Sequence, residues 1–179
     1  MTTPADPQKP FANSYWVIPG RLLAGEYPAA LAREAAIARL RKVIESGITY
    51  FLDLTTTFDP LRPYEGLLEE AAGGVKVVYA RRAIRDMGCP SAETMRTILD
   101  DIDAALDQGH NVYVHCWGGI GRTGTVGGCH LVRRGLSGEA ALAEVARLYG
   151  TMSAKKVQAY PESPQTDRQR AFVRDWTEL

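Results

Sequence analysis

The chain has no surplus charge of either sign: 21 Lys and Arg offset 21 Asp and Glu, for a formal net charge of zero. That balance argues against nucleic acid or an anionic membrane surface as the bulk partner. Cysteine is sparse as well. Cys89, Cys116 and Cys129 are odd in number and have no metal-ligand spacing, so neither a complete disulfide framework nor a metal site is expected. A reducing compartment follows, and the cytoplasm is the expected location. No stretch approaches the roughly 18 apolar residues of a membrane span, and the first residues lack the basic-then-apolar pattern of a secretory leader. Internal repeats and a second domain are missing too. What is present, 179 residues with 45% apolar and 23% charged side chains, suffices for one soluble domain with a proper core.

Residues 1–12 open with MTTPADPQK, rich in Pro, Thr and Asp, and are expected to form a flexible arm; residues 13–179 are expected to form the domain. Two short apolar runs around Pro19-Gly20 predict a hairpin at a sheet edge. Pro28 is suited to open a helix, with Ile37, Leu40 and Ile44 at helical spacing until Gly47. Ile48–Leu54 and Val75–Tyr79 read as strands. Ser91 is expected to cap a helix striped by Met95, Ile98, Ile102 and Leu106, and Ser137 to cap another that ends at Gly150. Ser163-Pro164 reads as an N-cap followed by proline at the first helical position, opening a last helix to about Trp176. Strands alternating with helices, then helices to the end, predict an α/β layered domain: a largely parallel central sheet flanked by helices.

One stretch carries chemistry. Val112 to Thr125 reads VYVHCWGGIGRTGT: alternating apolar residues, His115 and Cys116, three glycines among the next five residues, then Arg122, Thr123 and a resumed apolar run. It predicts a strand that stops, a tight loop and a helix that starts. So short and glycine-rich a loop must curl, and its backbone N–H groups converge into an anion-binding nest backed by the helix N-terminus. A thiol on the floor of such a nest is readily ionised, since partial positive charge and a guanidinium favour the thiolate. The pattern fits a nucleophile aimed at a bound phosphate. Gly119, Gly121 and Gly124 also spell G-x-G-x-x-G, but the second strand with its terminal acid, which a dinucleotide site needs, does not follow. The bland alternative is a glycine turn around an inert buried cysteine.

His115-Cys116-(five residues)-Arg122-Thr123 resembles the signature of the cysteine-dependent protein tyrosine phosphatases, including their small dual-specificity branch. The resemblance spans about Ile48 to Trp176 and implies a tyrosine-phosphatase-like fold. It makes Cys116 the nucleophile and Arg122 the clamp on two phosphoryl oxygens, which a lysine cannot match. The N–H groups of Trp117, Gly118, Gly119, Ile120, Gly121 and Arg122 bind the phosphate. His115 orients the loop, and Thr123 hydrogen-bonds the sulfur as it leaves. Asp-x-Gly-x-Pro, Asp86 to Pro90, resembles the family's mobile acid loop, with Asp86 the general acid and Gly88 the hinge; Ile84-Arg85 replaces the Trp-Pro of larger members. Asp53 and Asp59 are rival acids. Gln165-Thr166-Asp167-Arg168-Gln169 resembles the glutamine loop that places the hydrolytic water, with Gln165 the candidate and Gln169 the secondary one. Those amides fall on one helical stripe with Phe172 and Trp176.

The expected activity is metal-free and cofactor-free hydrolysis of phosphomonoesters through a phosphocysteine, by a monomer acting on phosphorylated proteins or peptides. Phosphotyrosine is favoured, and small phosphorylated molecules are also considered. An inositol-phosphate or phosphoinositide phosphatase is the rival within the class, and the loop's lack of Lys between Cys116 and Arg122 argues against it. Arg81, Arg82, Arg85, Lys155 and Lys156 are then either a basic rim or simply solvated charges. Outside the class stand a sulfur- or arsenate-transfer enzyme, which has no need of Asp86 and Gln165, and an idle phospho-binding module. A reversible Cys89–Cys116 disulfide is one redox option.

Overall fold

A computed structural model of the chain describes residues 7–178. Five short strands form one sheet in the order β1-β2-β5-β3-β4. The hairpin joins β1 (Ser14–Ile18) antiparallel to β2 (Leu22–Gly25), with Gly20 at φ 71° in the turn. From there every pairing is parallel: β2 with β5 (Val112–His115), β5 with β3 (Tyr50–Asp53), and β3 with β4 (Val78–Arg81).

Side chains alternate between the two faces of a strand, and here each face has its own core. Leu22, Ala24, Leu52, Val112 and Val114 pack on one side against α3 (Ala92–Asp107), α4 (Arg122–Arg133), α5 (Gly138–Tyr149) and α7 (Asp167–Arg174). Leu23, Phe51 and Tyr113 pack on the other side against α1 (Arg33–Glu45) and α2 (Leu68–Ala72). At about 1.5–3 kcal/mol for each fully buried aliphatic or aromatic side chain, this double coverage holds strands of only four or five residues. The register puts Gly25, His115, Asp53 and Arg81 abreast at the carboxyl ends of β2, β5, β3 and β4. In parallel α/β sheets that rim is where ligands bind.

Several boundaries differ from the sequence expectation. The first helix begins at Arg33 rather than Pro28. β4 starts at Val78, because Gly73 and Gly74, both at positive φ, and the Val75 N–H to Ala72 bond use up the first residues as a turn. A six-residue helix, α6 (Ala154–Ala159), was not expected; AKKVQA is too short and too polar to display a period. The last helix is capped by Thr166, not Ser163, and starts at Asp167. Ser163-Pro164 is instead a cis peptide in the preceding turn. Ser91 and Ser137 cap α3 and α5 as expected.

Of the expected arm, residues 1–6 lie outside the described residues. Pro7 accepts a hydrogen bond from Trp16 Nε1 at 2.8 Å, and the Arg39 guanidinium stacks 4.6 Å over the Phe11 ring. Among the described residues no helix is long and apolar enough to cross a membrane.

Candidate active site

The loop from Cys116 to Arg122 leaves the end of β5 and enters α4. Its carbonyls are taken from outside, one after another. His115 Nδ1 donates to the Cys116 carbonyl at 3.1 Å, the Tyr27 N–H to Trp117 at 2.9 Å, and Lys156 Nζ to Gly118 at 2.9 Å. Ser163 Oγ donates to Ile120 at 2.7 Å, and Thr125 Oγ1 to Gly121 at 2.8 Å. A trans peptide is planar, so its C=O and the next N–H point opposite ways. Each outward carbonyl therefore turns the N–H of Trp117, Gly118, Gly119, Gly121 or Arg122 toward the inside of the loop. The loop thus curls, as the glycine pattern predicts; no such bond orients the Ile120 N–H among the described residues.

Space is tight at one glycine of the loop and at one in the first turn of α4. Gly119 sits at φ 73°, and a Cβ there would lie 2.5 Å from the Gly25 carbonyl carbon. A Cβ on Gly124 would lie 2.3 Å from Ser163 Oγ.

Cys116 lies at the base of this loop with 3% of its surface exposed, and Thr123 Oγ1 donates to its sulfur at 3.1 Å. His115 is fully buried. Its Nδ1 faces a carbonyl and so carries the proton, which leaves Nε2 to accept from Tyr64 Oη at 2.7 Å. Burial pulls the His115 pKa below the ordinary imidazole value, against the pull of nearby Asp53, so the ring is neutral at neutral pH. Its place fits the orienting role expected of it.

Arg122 is the best-anchored side chain of the site. Its Nη1 and Nη2 donate to Asp59 Oδ2 and Oδ1 at 3.0 and 2.9 Å, and Nη1 also reaches the Ile84 carbonyl at 3.1 Å. Asp86 Oδ1 lies 3.0 Å from Nη2. Among the described residues the Nε–H, though buried, has no partner. One edge of the guanidinium is thus pinned by Asp59, while the Nε–Nη2 edge offers a buried donor beside the contact with Asp86. An orphaned buried donor is costly unless a ligand satisfies it, and two phosphoryl oxygens match this edge.

The two rival acids are placed differently from Asp86. Burial pushes Asp59 up, but hydrogen bonds from Arg122 and from the Thr56 N–H and Oγ1 outweigh it and hold the carboxyl below its ordinary value. A carboxylate paired in that way is poorly placed to carry a proton. Asp53 is buried and accepts from Thr55, Tyr79 and Arg81. Asp86 is different, with its side chain 52% exposed.

The acid loop turns through a Gly88 N–H to Arg85 carbonyl bond of 2.9 Å. The unusual backbone is at Met87, φ 60°, and not at the expected hinge Gly88. Gly88 is held instead by its carbonyl, which accepts from Gln169 Nε2 at 3.1 Å. Gln169 Oε1 accepts from the N–H groups of Gln165 and Thr166, closing a capping box with Thr166. Both ends of that amide have protein partners, and Gln169 braces the two loops. Gln165 precedes the helix, off the expected stripe, and its side chain lines a hollow of about 380 Å³ together with Asp86, Trp117 and Lys156.

On the other side of Trp117 lies a larger hollow of about 790 Å³, walled by Phe58, Pro60, Ala83 and Trp117, with Asp59, Asp86 and Arg85 at its edges. Phe58 is 94% exposed and Trp117 45%. The expected basic rim is largely spent: Arg81 pairs with Asp53, Arg82 with Asp101 and Lys156 with Glu26. All three cysteines are free. Among the described residues no group of three His, Cys, Asp or Glu could hold a metal. Asp59, Tyr64, Lys156 and Ser163 touch the site's machinery from 38 to 63 residues away in sequence. Asp59 stood out in the sequence as a carboxylate in a loop after a strand, Lys156 only as a rim charge and Ser163 only as a helix cap.

The chain is similar to several solved structures. Tk-PTP in its active form shares 26% identity over 91% of this chain and 95% of its own, with a TM-score of 0.71. Kinase associated phosphatase, with serine substituted for its catalytic-site cysteine, shares 16% over 93% of each chain, with a TM-score of 0.70. The core catalytic domain of the S. cerevisiae PP-IP phosphatase SIW14 shares 16% over 95% of this chain and 88% of its own, with a TM-score of 0.67. Residues 29–136, well over half of the chain, match the family model described as Tc-R-P: Polymorphic toxin system, DSP-PTPase phosphatase. Because that match covers more than half of the chain, including the loops of Asp86 and of Cys116 to Arg122, the chain belongs to the DSP-PTPase phosphatases of polymorphic toxin systems.

Proposed function

We propose that this phosphatase works through a phosphocysteine and acts on aryl phosphates, phosphotyrosine in a protein or peptide above all. The observation that carries the mechanism is the unpartnered Nε of Arg122, buried beside the inward-turned amides of the phosphate loop. The ester's phosphoryl oxygens take the amides and the Nε–Nη2 edge of Arg122. Cys116, as the thiolate, attacks phosphorus while the ester P–O bond breaks, and Asp86 gives its proton to the departing oxygen. In the second step water held by Gln165 attacks phosphorus and returns a proton to Asp86. The P–S bond breaks, with Thr123 Oγ1–H stabilising the sulfur as it leaves. Charge in the transition state spreads over oxygens already faced by fixed donors, where such stabilisation is largest.

The substrate class rests on the larger hollow. Its walls of Phe58, Pro60, Ala83 and Trp117 suit an aromatic ring, and of the two arginines lining it Arg81 is already paired with Asp53, which leaves Arg85. A highly phosphorylated inositol ring would find few free partners there. A reducing, cytoplasmic setting keeps Cys116 available beside two further free thiols.

The test is steady-state hydrolysis, in chelator, of phosphotyrosyl, phosphoseryl and phosphothreonyl peptides and inositol phosphates, compared by kcat/KM. The phosphotyrosyl peptide is expected to lead by at least about tenfold. Cys116→Ser is expected to bind substrate and lose about 10⁴-fold or more in kcat. Turnover by the serine form would remove the mechanism; preference for an inositol phosphate would remove the substrate class.

A further inference from the structure

Apart from the Lys156 contact to Gly118 already described, a polar cluster around Glu26 takes no part in the roles above. Glu26 follows β2, and its carboxylate is gripped from three directions. Asn13 Nδ2 donates to Oε2 at 3.0 Å, Arg39 Nη2 from α1 to Oε1 at 3.2 Å, and Lys156 Nζ from α6 to Oε2 at 2.8 Å. The hydroxyl of Ser153, the cap of α6, donates to Asn13 Oδ1 at 2.7 Å, so the short helix is docked on the same residue. The Lys156 side chain is only 15% exposed. A lysine on a surface helix ordinarily lets its head swing in water. Here the ammonium is held by Glu26 and spends a second proton on the Gly118 carbonyl.

The peptide it grips is the one in the loop with the least orientation of its own. Gly118–Gly119 is flanked by no side chain on either side, and glycine populates both signs of φ about equally. Flipped over, that peptide would place a carbonyl oxygen where the phosphoryl group must sit and turn the Gly119 N–H away. We infer that Lys156, aimed by Glu26, is a positioning residue for phosphoryl transfer. By holding the Gly118 carbonyl outward it turns the Gly119 N–H, in the same peptide plane, onto the bound phosphate.

This inference rests on the phosphatase reading, and its test separates the two. Wild type, Lys156→Met, Glu26→Gln and Lys155→Met are compared on an aryl phosphate for kcat and KM, for inhibition by orthovanadate, and for Tm. Lys155 is the exposed neighbour. Losing one well-aimed oxyanion donor costs about 10²–10³-fold, so mis-aiming one through its peptide is expected to cost Lys156→Met about 10–100-fold in kcat/KM. Vanadate inhibition should weaken by the same factor, because vanadate reads the amides directly. Glu26→Gln, which keeps acceptors but loses the charge, should follow with a smaller loss of both, and stands in if Lys156→Met does not fold. Lys155→Met should match wild type. A folded Lys156 or Glu26 variant with unchanged vanadate inhibition overturns the inference, whatever its kcat/KM. A wild type that hydrolyses no phosphate ester overturns the phosphatase reading instead.

Discussion

The phosphate loop, residues 116–122, and the acid loop, residues 85–90, face each other across the Arg122 guanidinium. The first is tied down by carbonyl bonds from five different places, and Cys116 and Arg122 on it are almost fully buried. The second keeps Arg85, Asp86 and Met87 exposed and, among the described residues, rests on a turn bond, a bond to Gln169 and an ion pair to Arg122. The contrast fits the roles proposed for the two loops. Donors that stabilise a transition state lose their advantage if they must reorganise during the reaction. A general acid must reach a leaving group and then release it, which calls for a segment that moves at low cost. Met87, with a positive φ that only glycine adopts freely, adds to that ease.

The contrast can be tested from both sides. The largest effect is expected on the rigid side: Arg122→Lys, which keeps the charge but loses the fork, should lower kcat/KM about 10³-fold for every substrate alike. On the mobile side the loss should depend on the leaving group. Asp86→Ala should cost about 10²–10⁴-fold with a poor alkyl leaving group and under about tenfold with nitrophenolate. Equal losses for both leaving groups would mean that Asp86 is not the acid.

Asp59→Ala links the two loops through Arg122. Leaving that guanidinium without its buried partner should cost about 3 kcal/mol in denaturant unfolding, with kcat/KM down about 10²-fold. Gln169→Leu removes the brace on Gly88 and half the capping box, and should cost about 1 kcal/mol, with kcat changed only a few-fold. The smallest effect is global. Burial lowers the pKa of both His115 and His130 below the ordinary 6.5. The unfolded chain therefore takes up protons at these sites more readily than the folded one. Stability should be flat above about pH 6.5 and fall as pH drops below it, read as a decline in Tm that His130→Asn makes shallower.

The strand–loop–helix from Val112 to Arg133 was legible because all of its parts are neighbours in sequence. Apolar alternation, glycines and the Cys116–Arg122 spacing specify it without help from elsewhere. The caps at Ser91 and Ser137 were legible for the same reason. Ser163 was misread because serine before proline signals a cap locally, while its hydroxyl is taken instead by the Ile120 carbonyl 43 residues away. Gln165 and Gln169 looked alike on a helical stripe. The true helix start at Asp167 separated them, burying one as a brace and leaving the other on a hollow.

Taken alone, the sequence determined the layered α/β pattern, the nest, and the sulfur and guanidinium placed in it, since bonds between near neighbours and side-chain periodicity need no distant partner. Only the tertiary structure decided what holds those groups in working order: Asp59 on the clamp, Tyr64 on His115, Lys156 and Ser163 on the loop's carbonyls. Each of those contacts joins segments that meet only after the sheet is packed on both faces, and no local pattern of residues records where a distant donor will come to rest.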